Sequence, residues 1–67
     1  MRLEEGQNNI KSIYFSDNES ITVGQYADEI RVTMEYSQVG VVPWFEVIKD
    51  GKVISKWNAA LCSGVGY

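Results

Sequence analysis

Hydrophobic positions along the chain fall in short β-rich runs separated by clusters of turn-forming polar residues. The most regular run is Glu29 to Tyr36, where Ile30, Val32, Met34 and Tyr36 alternate with Arg31, Thr33 and Glu35, the period of a strand with one buried face. Ile10 to Phe15 predicts an earlier strand, ended by the polar run Ser16 to Ser20. Ser20 to Val23 is a short β-branched run stopped by Gly24, and its closeness to the first strand predicts an antiparallel hairpin. Gly24 to Asp28 is expected as a loop. Ser37 to Gly40 has turn chemistry, and Val41 to Lys49 is a long strand whose Pro43 predicts an edge position or a bulge.

Asp50-Gly51 between Lys49 and Lys52 is the sharpest local signal, because a two-residue type I′ turn needs positive φ at both positions. Counting outward from it pairs Ile48 with Val53, Val47 with Ile54, Glu46 with Ser55, Phe45 with Lys56 and Trp44 with Trp57. One face of this hairpin would then hold Trp44, Glu46, Ile48, Val53, Ser55 and Trp57, with the two tryptophans opposite each other. The expectation is a single all-β domain over 1–67, a small antiparallel sheet closed as a barrel or packed as a sandwich of five to six short strands. Residues 1–9 are expected as an irregular N-terminal arm, and 59–67 as a tail or a short closing strand.

At 67 residues, of which 45% are apolar, the chain is globular in composition. A chain this short buries only about 60% of its unfolded surface, so self-association into a homo-oligomer is the simplest source of extra core. Six Lys plus Arg against nine Asp plus Glu give a net charge of −3, which opposes binding to a nucleic-acid polymer or an anionic membrane. The longest apolar stretch, Val39 to Phe45, is interrupted by Gly40 and Pro43, so no membrane span is expected. Two acids near the N-terminus stand where a secretory signal would be basic, which makes the cytoplasm the expected location.

Histidine is absent and Cys62 is the only cysteine, so the usual general base, the usual zinc ligands and a Cys-His pair are all lacking. The chain is therefore not expected to be an enzyme, and no cofactor or metal is expected. Cys62 is read as a reduced thiol. The acids of Asp17-Asn18-Glu19 lack the spacing of a calcium loop and are expected to be hydrated turn residues. Large apolar side chains on both hairpin faces leave one face for a ligand, a partner or the rest of the sheet. Trp44 and Trp57 could form a core contact or a platform for a planar ring. Lys56, Arg31 and Asn58 could meet phosphates and a base edge, or could be a solvated face, with Lys49, Lys52 and Lys56 guarding a β edge.

The run Val41-Val42-Pro43-Trp44-Phe45-Glu46-Val47, the Asp-Gly turn, Trp57-Asn58 and a closing Val65-Gly66-Tyr67 resemble small all-β accessory proteins of tailed bacteriophages. Met1-Arg2-Leu3-Glu4 and Asn9-Ile10-Lys11-Ser12-Ile13 add to the likeness. The resemblance implies an anti-defence role in the host cytoplasm of the anti-CBASS sponge type. Such a protein oligomerises and sequesters a small nucleotide signal, a cyclic dinucleotide for instance, without cleaving it. The ligand set expected on chemical grounds is Trp44, Trp57, Lys56, Asn58 and Arg31. The alternatives are an acidic, anti-CRISPR-like inhibitor of a host defence protein, favoured by the net charge, and a virion assembly component.

Overall fold

A computed structural model of the chain describes residues 2–24 and 27–67. Gln25 and Tyr26, within the segment expected as a loop, lie outside the described residues. Among the described residues six strands form two antiparallel three-stranded sheets, and the sheets do not close into a barrel. The first sheet has the order β2-β1-β6, from β1 (Ser12–Phe15), β2 (Ser20–Thr22) and β6 (Cys62–Gly66). The second has the order β3-β4-β5, from β3 (Glu29–Ser37), β4 (Gly40–Lys49) and β5 (Lys52–Asn58).

The inner faces of the two sheets share one core. Ile13 and Ile21 face it from the first sheet, Ile30, Val32, Phe45 and Val47 from the second, and Ile10, Ala27 and Ala59 fill the joints. The alternation of β3 explains its side of the core: Ile30 and Val32 are fully buried and Met34 partly so, while Tyr36 runs past the core edge and is 72% exposed. The predicted hairpin of β1 and β2 is present, pairing Ile13 with Ile21 across the Ser16–Glu19 connection. The C-terminal run forms a short 3₁₀ turn, Ala59–Leu61, and then a closing strand, β6, which makes β1 the centre of its sheet.

The arm at 2–9 is irregular, yet it is tied down. The Gly6 N–H donates to Val32 O (2.9 Å) and the Val32 N–H to Gln7 O (2.8 Å), while the Met34 N–H donates to the Glu5 carboxylate. These bonds cover the outer edge of β3, and an Ile10–Ile30 bridge joins the arm's end to the same edge. They also explain Pro43. β4 is the central strand, not an edge, but Pro43 lies opposite Met34, whose N–H points away from β4. Pro43 nitrogen therefore faces the β5 side, and β5 ends at Asn58, opposite Trp44. The missing N–H falls where no neighbour needs it.

The Asp-Gly turn has the expected form, with φ of 53° at Asp50 and 76° at Gly51, and Lys49–Lys52 and Ile48–Val53 pair as counted. Beyond them the register departs from the count. Ile54 is an extra residue in β5, so Val47 pairs with Ser55, Glu46 with Lys56, Phe45 with Trp57, and Trp44 with Asn58. The expected Trp44–Trp57 pair does not form, and the tryptophans lie on opposite faces of the sheet. The reason is parity: a straight register would set Lys56 against fully buried Phe45, and one extra residue turns the lysine outward and Trp57 inward.

Candidate functional site

The outward face of the β3-β4-β5 sheet is built from the residues that alternate with the core positions. Two adjacent rows cross it. Arg31, Glu46 and Lys56 form one, and Thr33, Trp44 and Asn58 form the next. Arg31, Trp44, Lys56 and Asn58, expected as ligand groups, thus come together on one face. Trp57 does not belong with them.

Each side chain on this face has a definable state. Lys56 Nζ lies 5.2 Å from the centroid of the Trp44 ring, a cation–π contact that the shifted register makes possible. Arg31 is held by its strand neighbour, with Nε and a terminal nitrogen donating to the two Glu29 carboxylate oxygens at 3.2 and 3.3 Å. Asn58 caps the 3₁₀ turn, its Oδ1 accepting from the Ala60 N–H at 2.8 Å, so only its amide N–H groups face outward bonding. Trp44 Nε1 and Thr33 Oγ1, neighbours across the strands, are buried without a hydrogen-bond partner among the described residues. Buried polar atoms are usually paired, so these two mark unmet bonding capacity.

Trp57 belongs to the core side of β5. Its ring meets Phe15 of the first sheet at 5.0 Å between centroids and an angle of 55°, and its Nε1 donates to Ser55 Oγ at 3.1 Å. That makes it a seam between the sheets, with 37% of its surface exposed. Cys62 is half-buried, and burial pushes its thiol pKa above the ordinary value, which disfavours the reactive thiolate. Among the described residues no three His, Cys, Asp or Glu side chains gather as metal ligands, and no helix is long and apolar enough to cross a membrane.

Sequence reasoning passed over Thr33, Glu29 and Glu46, whose place depends on pairing between strands. The alternation of β3 was the available signal, since it puts Glu29, Arg31 and Thr33 on one side. No family model, curated protein or solved structure matches the chain.

Proposed function

We propose that the protein is a non-enzymatic binding module whose outward β3-β4-β5 face takes a small, planar, phosphate-bearing ligand of the nucleotide class. The observation that carries this reading is the gathering of Arg31, Trp44, Lys56 and Asn58 in two adjacent rows. A base needs an aromatic face and a phosphate needs cations with N–H or O–H donors. Trp44 supplies the first, and Lys56 and Arg31 the second. Lys56 rests on the indole and is exposed, so it swings aside as a base stacks and meets a phosphate instead. One open face offers one wall. A second copy of the chain supplies the other, which is the role of a homo-oligomer here, and the phage likeness narrows the ligand to a cyclic dinucleotide immune signal.

A second reading, an acidic module that inhibits a host defence protein, is supported by Glu29, Glu35 and Glu46 sharing this face with the two cations. Native mass spectrometry with mono-, di- and cyclic nucleotides separates the two. The expected result is a multimer retaining an intact nucleotide, with affinity falling more than about tenfold in Lys56→Glu, the loss of a charge-assisted contact and gain of repulsion. Absence of any bound nucleotide, or an unchanged affinity in folded Lys56→Glu, rejects the first reading.

A further inference from the structure

Where the β1–β2 connection approaches β5, the molecule carries an open cleft of about 460 Å³ on the side away from the outward face. Phe15 and Trp57 line it, Ile21 and Leu61 extend the apolar wall, and Asp17 and Glu19 stand on the rim. Among the described residues no lysine or arginine lines the cleft. The Trp57 indole is fixed in place by Phe15 and by its bond to Ser55, yet remains partly exposed. Neither rim carboxylate has a cation within ion-pair distance among the described residues, where the one ion pair is Arg31–Glu29 on the opposite face.

An indole held by Phe15 and Ser55, beside two carboxylates with no ion-pair partner among the described residues, suits a positive charge, which gains from the π-face and from the oxygens together. The same rim repels phosphate. We infer that this cleft docks an arginine or lysine side chain from a basic segment of a partner protein. Charge complementarity selects that occupant: among the described residues two acids and no base line the cleft, and the net charge of −3 steers a basic surface toward the molecule. A guanidinium can stack on Trp57 while its N–H groups donate to Asp17 or Glu19. Trp57 thus leaves the nucleotide ligand set and serves a separate site, which stands whether or not the outward face binds a nucleotide.

The test is an NMR titration of the full ¹⁵N-labelled chain with a tetra-arginine amide peptide at about 0.15 M salt, where long-range attraction is screened. Trp57 Nε1–H and the Asp17 and Glu19 amides are expected to shift saturably, while the Trp44 indole stays fixed. Asp17→Asn/Glu19→Gln should weaken binding about fivefold or more, the loss of charge-assisted hydrogen bonds. Asn keeps the oxygen that accepts the Glu19 N–H at 3.3 Å, so the turn is preserved. Should the double variant not fold, Glu19→Gln alone is the comparison, with a loss of about threefold. The inference is overturned by the absence of a saturable Trp57 shift, by equal shifts around Glu4, Glu5, Glu29 and Glu35, or by unchanged affinity in the folded variant.

Discussion

Deleting Ile54 should leave the protein folded and close to its original stability, although a deletion inside a strand of so small a domain would ordinarily be disruptive. The expectation comes from the ladder. Val53 opposes Ile48 and Ser55 opposes Val47, with Ile54 as the extra residue between them. Removing it joins Val53 to Ser55 directly and keeps Lys56 opposite Glu46 and Trp57 opposite Phe45. Ile54 is 51% exposed, so about half of the 1.5–3 kcal/mol that burying an isoleucine contributes is lost, on the order of 1 kcal/mol. A regular ladder can gain a backbone hydrogen bond of about 0.5–1.5 kcal/mol. The two nearly cancel, and the net change is expected within about 1 kcal/mol, a shift in Tm of no more than about 4–8 °C. Urea unfolding followed by tryptophan fluorescence measures the stability, and a nuclear Overhauser contact between Phe15 and Trp57 reports the register. A loss above about 3 kcal/mol, or disappearance of that contact, refutes the assignment of Ile54 as a dispensable extra residue. The same deletion flattens an open sheet edge that the bulge now twists, so sedimentation should show stronger self-association in the variant.

Two further outcomes follow from single positions. Gly51→Ala should cost about 1–2 kcal/mol in the same urea assay, because φ of 76° is unfavourable for a side chain even though open space surrounds the site; a neutral result would mean the turn changes type. Burial raises the Cys62 pKa in the folded state, so this group's contribution to stability is fully present below the ordinary thiol range and is lost as pH rises through it, since the unfolded thiol ionises first. Cys62→Ala should remove that part of the alkaline slope, and an identical slope in the variant would exclude Cys62 as its source.

How much of this was legible in the chain depends on whether a feature is written in local residues or in contacts between distant ones. The Asp-Gly turn demands positive φ at two neighbours, and β3 declares its buried face by alternation, so both could be read directly. The edge cover from Gly6 and Gln7 could not, because backbone-to-backbone bonds to Val32 impose no side-chain pattern. The bulge lay between these cases. The straight register set Phe45 against Lys56, a pairing of a core aromatic with a charge, and that conflict was the visible sign that the count had to slip.

The slip also decides what the two tryptophans can do. In a straight hairpin Trp44 and Trp57 would form one aromatic pair, and Lys56 would lie on the other face. One extra residue in β5 instead gives each indole its own surroundings: Trp44 beside Lys56 and near Arg31, and Trp57 against Phe15 near Asp17 and Glu19. On the two proposals the first setting takes an anion and the second a cation, so a single ligand would not be expected to use both. That separation gives a direct check on both proposals. A nucleotide should perturb the Trp44 indole and spare Trp57, and an arginine peptide should do the reverse. A ligand of either charge that moved both indoles equally would mean that the faces are not independent and that the register near Ile54 is not fixed.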